Sequence, residues 1–265
     1  MKKLIIAFDL HGTLLDASWG ISQSNMTTIL ELIDTMSDIA DFYLVTGNDF
    51  SFVCDYVPAS FLEKIDGLIL ESGSIIHNFK SSTFLIDKKT TENIVELTDY
   101  FKNKKYSFVK HFGNRQCTVS LFTTDKTGGQ PPESYIEIVN NDLKQHPFSD
   151  MFYLTHSNVA IDILPVNTTK YDAIRKVATE KSLEICSFVD SYNDKEIARF
   201  STYTFLPKNV SLDLMKYLNS HNKLIFKCNK FHLVKNLVYI SEKSYTEAVI
   251  DGLQFLAVGN SFIHS

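Results

Sequence analysis

The sequence predicts an α/β fold: a doubly wound parallel sheet with a smaller α+β unit inserted into it. Three observations carry this. Short, almost wholly apolar runs at Leu4–Phe8, Phe42–Val45, Leu68–Leu70 and Ile185–Val189 each end in polar or glycine residues, as strands buried on both faces of a parallel sheet do. Segments with apolar residues at helical spacing lie between them, so strand and helix alternate. The alternation breaks off near residue 80 and resumes near residue 160.

Taken in order, Leu4 to Phe8 stops at Asp9-Leu10-His11-Gly12-Thr13, a loop at the strand's C-terminal end. Met26, Ile29, Leu30, Ile33 and Met36 recur at helical spacing, and Phe42 to Val45 ends at Thr46-Gly47-Asn48. Leu68 to Leu70 is closed by Glu71-Ser72-Gly73. Thr83 to Ile86, Tyr106 to Lys110, Gln116 to Phe122 and Met151 to Leu154 read as strands of the inserted unit. Its helices carry Ile94, Leu97 and Phe101, and run from Tyr135 to Leu143 after a turn-rich stretch at 127–132. Val159 to Leu164 reads as the return of the parallel sheet. A helix with Tyr171, Ile174, Val177 and Ala178 follows, with Thr169 and Asp172 spaced as a capping box. Ile185 to Val189 ends at Asp190-Ser191-Tyr192-Asn193-Asp194, and Tyr245, Ala248, Val249, Gly252, Leu253 and Leu256 line a last helix. The expected organisation is a core of residues 1–80 and 160–265 and an insertion of residues 81–159.

Hydrophobic residues make up 44% and charged residues 22% of the 265, with 20 Phe and 12 Tyr to fill a core. The net charge of −5 carries no basic run, so neither nucleic acid nor a membrane surface is an expected partner. Cys54, Cys117, Cys186 and Cys228 are far apart, without zinc or redox spacing, and are expected as reduced thiols. The apolar run after Met1-Lys2-Lys3 is too short for a secretory signal, and no stretch reaches membrane-spanning length. A cytoplasmic protein, a monomer or small homo-oligomer, is expected.

Asp9, Thr46 and Asp190 each close an apolar strand, and in open parallel sheets sites form beyond the carboxyl ends of the strands. Singly, such an Asp is often a cap or turn former and Thr-Gly a common turn; the combination is more specific. Phe8-Asp9-Leu10-His11-Gly12-Thr13-Leu14-Leu15 resembles the first motif of the haloacid dehalogenase superfamily, Asp-x-Asp-Gly-Thr-Leu. Leu44-Val45-Thr46-Gly47-Asn48 is similar to the second, Asp162-Ile163-Leu164-Pro165 leading to Lys170 to the third, and Asp190-Ser191-Tyr192-Asn193-Asp194 to the fourth, Gly-Asp-x-x-Asn-Asp. The insertion resembles the α/β cap of the sugar-phosphatase branch, which includes the Cof-type phosphatases.

The resemblance implies a Rossmann-like core acting on a small phosphorylated metabolite with Mg²⁺. Asp9 would be the nucleophile, since a carboxylate attacking phosphorus splits one displacement into two. Asp9 and Asp190 would hold Mg²⁺, with the backbone carbonyl of His11 as a third oxygen. Lys170 would neutralise Asp9 and the phosphoryl oxygens. Thr46 and the N–H of Gly47 would bond the transferring group, and Asn193 would contact phosphate or substrate. Asp194 is open between orienting Lys170 or a metal-bound water and complementing a helix N-terminus. His111, Arg115, Lys126 and His156 are the polar residues of the insertion that stand as candidates for the cleft.

Two residues depart from the family pattern. His11 stands where the second motif-one Asp acts as acid and then base; imidazole suits that work by its ordinary pKa but is larger and uncharged beside a metal. Val189 replaces a Gly and would crowd the approach to Asp190. The expected function is Mg²⁺-dependent hydrolysis of a phosphate monoester, a sugar phosphate, through an Asp9 aspartyl phosphate. A phosphotransferase or mutase, and a weakened phosphate-binding regulatory module, stand as alternatives because of His11.

Overall fold

A computed structural model describes residues 4–79, 83–86, 88–124, 130–178, 183–227 and 233–261. Its thirteen strands are β1 (Leu4–Phe8), β2 (Ala40–Val45), β3 (Gly67–Leu70), β4 (Ile75–Asn78), β5 (Thr83–Ile86), β6 (His111–Phe112), β7 (Val119–Phe122), β8 (Phe152–His156), β9 (Ala160–Pro165), β10 (Glu184–Phe188), β11 (Tyr203–Leu206), β12 (Ile225–Lys227) and β13 (Leu237–Ile240). Nine form one sheet in the order β12-β13-β11-β10-β1-β2-β3-β4-β5. The seven from β12 to β3 are parallel, and β4 and β5 add an antiparallel edge.

Burial on both faces explains the continuous apolar strands. In β1, Ile6 and Phe8 join Met26, Ile29, Ile33 and Met36 of the helix Gln23–Met36 on one face. Ile5 and Ala7 join Ile174, Ile197 and Leu214 on the other. The helix Tyr245–Ser261 packs beside Gln23–Met36, so each face has its own helical layer. Phe8 is enclosed by the rings of Phe42, Phe61 and Phe188, a large apolar area under the loop that follows it.

β6-β7-β9-β8 make a second, wholly antiparallel sheet. Val119, Leu121, Phe152, Ile161 and Ile163 face the helices Lys88–Asn103 and Glu133–Lys144, packing with Ile94, Leu97, Phe101, Val139 and Leu143. Alternation then sends Ser120 and Asp162 to the opposite face, where Ser120 Oγ donates to Asp162 at 2.6 Å.

Several expected strands are displaced. Residues 160–165 do not reopen the parallel sheet but form β9 of the second one, because Ile161 and Ile163 alternate with Asp162 rather than being buried on both faces; the parallel sheet resumes at β10. Thr83–Ile86 pairs with β4 at the main sheet's edge, not within the insertion. Tyr106 to Lys110 is not a strand; the rings of Tyr106, Phe108 and Tyr135 stack there instead, and pairing begins at His111. Cys54, Cys117 and Cys186 are free thiols, Cys54 exposed and the others buried; Cys228 lies outside the described residues. No described helix is long and apolar enough to cross a membrane.

Candidate active site

β1 lies between β2, which follows it directly, and β10, which comes after the whole second sheet in the chain. The chain therefore leaves β1 in opposite directions, and such switch points open a crevice at the strands' carboxyl ends. Asp9 and Asp190 stand at that crevice. Asp9 N–H donates to Phe188 O at 2.9 Å, and Ser211 N–H to Asp190 O at 2.7 Å, so both backbones are anchored.

Lys170 opens the helix Lys170–Val177, capped by Thr169, whose hydroxyl accepts from Asp172 N at 3.0 Å as the spacing predicted. Gly73, at φ +108°, lies so close that a Cβ there would be 2.4 Å from Thr169 O. That close approach presses the helix start against the end of β3 and sends Lys170 inward. Its Nζ donates to Asp9 Oδ1 and to Asp194 Oδ1, each at 2.5 Å. Asp194 also closes a capping box with Ser191.

Ligand oxygens of Asp9, Asp190 and Asp194 lie within 4.8 Å of one another, all buried. Three carboxylates against one ammonium is an unbalanced set. Burial, opposed by Lys170 and reinforced by Asp194, pushes Asp9 up to about 7. Burial and the charges of Asp9 and Asp194 raise Asp190 well above the carboxylate range. Burial works to lower Lys170, but Asp194 and Asp9 outweigh it and hold the ammonium firmly charged. Asp190 Oδ1 is buried with no protein partner, while Oδ2 accepts from Asn158 Nδ2 at 3.2 Å. Gly12, at φ +76°, leaves room for that carboxylate; a Cβ would stand 2.1 Å from Asp190 Oδ2. An orphaned carboxylate oxygen in an over-negative, all-oxygen cluster fits a small divalent cation.

The remaining expected residues surround a cavity of about 600 Å³, the size of small-molecule sites. Thr46, Gly47, His11 and Asn193 line it with Asp9 and Asp190. His11 packs against Trp19 and Phe52, which with Tyr56 form an aromatic wall, and its Nδ1 is 3.0 Å from Asn48 Nδ2. Its Nε2 is shielded from solvent. Val189 does not crowd the site; it is buried among Ile197, Leu206 and Ala173. His111 and Arg115 line the cavity, His156 stacks on Tyr192 with centroids 4.7 Å apart, and Lys126 lies outside the described residues.

Other residues of the site carry little signal in the sequence. Asn209 holds the first loop by donating to Gly12 O at 2.8 Å, and Thr246 Oγ1 donates to Leu14 O at 2.7 Å. Asn158 reaches Asp190 from the second sheet's β8–β9 turn. Glu71 accepts from the backbone of Gln116 and Cys117 at 2.8 and 2.7 Å, tying the end of β3 to the segment before β7. Only Asn48, directly after Thr46-Gly47, stands inside a motif.

A sequence profile of haloacid dehalogenase-like hydrolases matches residues 6–126. No curated protein matches the sequence. Among solved structures, the sucrose-phosphatase of Synechocystis, in complex with sucrose and phosphate, superposes with a TM-score of 0.70 at 15% identity over 96% of this chain and 98% of that one. A Thermoplasma acidophilum protein gives 0.66 at 18% identity, over 97% and 100%. A HAD/COF-like hydrolase from Plasmodium vivax, described as putative, gives 0.65 at 14%, over 98% and 96%. At these identities the likeness is one of fold. The profile match spans the first two motifs, and the chain shares with these solved structures the architecture of a mostly parallel sheet carrying a second, antiparallel one.

Proposed function

We propose that the chain is a Mg²⁺-dependent phosphatase that hydrolyses a small phosphate monoester, a sugar phosphate, through an aspartyl phosphate on Asp9. The observation that carries this reading is the Asp9–Lys170–Asp194 bridge beside Asp190, at the switch point of the sheet and under the cavity. Asp9, Asp190 and the His11 carbonyl would hold the cation, with Asp194 behind them; bound there, it offsets the repulsion between carboxylate and phosphate.

An Asp9 carboxylate oxygen bonds to phosphorus, and the bond to the leaving oxygen breaks with its electron pair on that oxygen. Water then attacks the phosphorus of the acyl phosphate, restoring the carboxylate and freeing phosphate. Lys170, Thr46, the N–H of Gly47 and Asn193 hold the phosphoryl oxygens, and His11 serves the leaving oxygen. On this reading the nine-stranded sheet and its helices form the catalytic core. Residues from about Lys88 to Pro165 form a cap that selects the substrate. A sugar suits the cavity's size, the polar face carrying Ser120 and Asp162, and the sucrose in the Synechocystis relative.

A screen of phosphorylated metabolites with Mg²⁺ tests the reading, with Asp9→Asn as control; silence across sugar and aryl phosphates would overturn it. A second reading is favoured by His11, whose Nδ1 is engaged by Asn48 and whose Nε2 is shielded. Slow acyl-phosphate hydrolysis suits a phosphotransferase or mutase, and no turnover at all suits a phosphate-binding module. Transfer to a labelled acceptor alcohol would identify the first, and thermal stabilisation by inorganic phosphate without turnover the second.

A further inference from the structure

The hydrogen bonds around Asn48 fix the direction of two protons in the site. Arg115, whose side chain is 6% exposed, donates from Nη2 to Asn48 Oδ1 at 2.8 Å and from Nη1 to Asp49 Oδ2 at 2.5 Å. A guanidinium only donates, so the amide atom facing it is the oxygen. The amide nitrogen is then turned the other way, 3.0 Å from Thr46 Oγ1 and 3.0 Å from His11 Nδ1. Its two hydrogens match two acceptors. Thr46 Oγ1 also accepts from Asn48 N–H at 3.2 Å. Both lone pairs of that hydroxyl are thus filled, and its own hydrogen is left to be donated elsewhere. His11 Nδ1, facing a donor, has to be the unprotonated nitrogen of the ring.

We propose that Asn48, clamped by Arg115, is a positioning residue that sets the Thr46 hydroxyl as a donor to the transferring phosphoryl group and keeps the His11 proton on Nε2. The part concerning Thr46 rests on the phosphatase reading; the part concerning His11 does not. Arg115 belongs to the segment before β7, whose backbone Glu71 holds at Gln116 and Cys117. The two proton directions are therefore set only while the second sheet is seated on the first. A positioned donor to a developing oxyanion is worth about 10²–10³-fold in turnover, and Asn48 supplies this at one remove.

The test uses the full chain and Asn48→Asp, Thr46→Val and the double variant. Asp at 48 keeps the Arg115 pairing, so the fold stands, but offers an acceptor where the amide offered a donor. Long-range ¹H–¹⁵N spectra of the histidine rings, with His11→Gln to assign the signals, are expected to show His11 protonated at Nε2 in the natural chain and at Nδ1 in Asn48→Asp. Hydrolysis of p-nitrophenyl phosphate with Mg²⁺ is expected to fall about 10²-fold in kcat for Asn48→Asp with KM little changed. In the Thr46→Val background the same change should cost little more, because the residue it acts through is gone. A proton on Nδ1 in the natural chain, or no shift of the proton in the variant, overturns the His11 part. Fully multiplicative losses in the double variant overturn the Thr46 part. If neither aryl nor sugar phosphates are turned over, the phosphatase reading fails. Inorganic phosphate binding then decides the Thr46 part: an affinity unchanged in Asn48→Asp overturns it, and a tenfold weakening, absent in the Thr46→Val background, supports it.

Discussion

Nζ of Lys170 lies 2.5 Å from Oδ1 of Asp9, across 161 residues of sequence. The pair is almost wholly buried, with 2% and 7% of the two side chains exposed, so its charges are not masked by solvent. A second carboxylate, Asp194, shares the same ammonium.

Lys170→Met leaves three buried carboxylates without their counter-charge. Stability at pH 7 is expected to fall by about 3–5 kcal/mol, the usual cost of breaking a buried ion pair from one side. Much of it should return near pH 5, where the acids can take up protons. Asp9→Asn is expected to keep or raise stability while abolishing turnover, since it removes an acid whose ionisation burial opposes. Urea unfolding of both variants at the two pH values measures this. A loss under about 1 kcal/mol for Lys170→Met would mean that the cluster behaves as a solvated surface pair.

Mg²⁺ is expected to raise Tm more at pH 8 than at pH 5.5. Burial sets Asp9 to about 7 against an ordinary 3.8, and raises Asp190 as well. Carboxyls raised on folding contribute stability that is present below the unfolded pKa and lost as pH rises through the folded one. The metal-free protein should therefore weaken between about pH 4 and 7. The cation takes the place of the protons above that range and competes with them below it. Asp190→Asn should remove most of the Mg²⁺ effect at pH 8; an effect equal at both pH values would place the cation elsewhere.

Gly12→Ala puts a Cβ where Asp190 Oδ2 now sits, at a backbone angle of +76°. Strain of about 1–3 kcal/mol is expected, and the larger consequence is a displaced Asp190. Mg²⁺-dependent stabilisation should be lost to a greater degree than stability in buffer alone. Calorimetric titration with Mg²⁺ beside thermal unfolding separates the two.

Glu71→Ala frees the backbone N–H groups of Gln116 and Cys117. Each orphaned buried donor costs about 1–3 kcal/mol unless water reaches it, and the seam between the sheets is where water can. The expected result is a fall in Tm of a few degrees and a KM raised about tenfold, with kcat changed less. Glu71→Gln keeps one acceptor and should lie between.

The residues legible in the sequence are those that end a run of burial. Asp9 and Asp190 interrupt strands whose neighbours all pack in the two core layers, and Lys170 stands at a helix start marked by Thr169 and Asp172. β9 was misplaced because its alternation of Ile161, Asp162 and Ile163 lies inside a stretch that otherwise looks continuously apolar; the period of two was there to be seen. The region from Lys195 to Lys243 gave no elements in advance. Its strands β11, β12 and β13 run three or four residues each, too short for periodicity to speak. Arg115 and Asn48 meet across 67 residues, and no local pattern encodes a contact made by docking one sheet on another.

The bonds from Glu71 to the backbone of Gln116 and Cys117 make the two sheets a single body for as long as they last. The cavity of about 600 Å³ is lined from both sides of that seam, by Asp9 and Asp190 at strand ends of the first sheet and by His111, Phe122 and Ala160 of the second. A motion that parts the two sheets breaks both bonds to the Glu71 carboxylate and the Arg115 contacts together. Such motions run on microsecond to millisecond scales. Where that parting limits turnover, solvent viscosity slows the reaction; where bond-making at Asp9 limits it, viscosity leaves the rate unchanged.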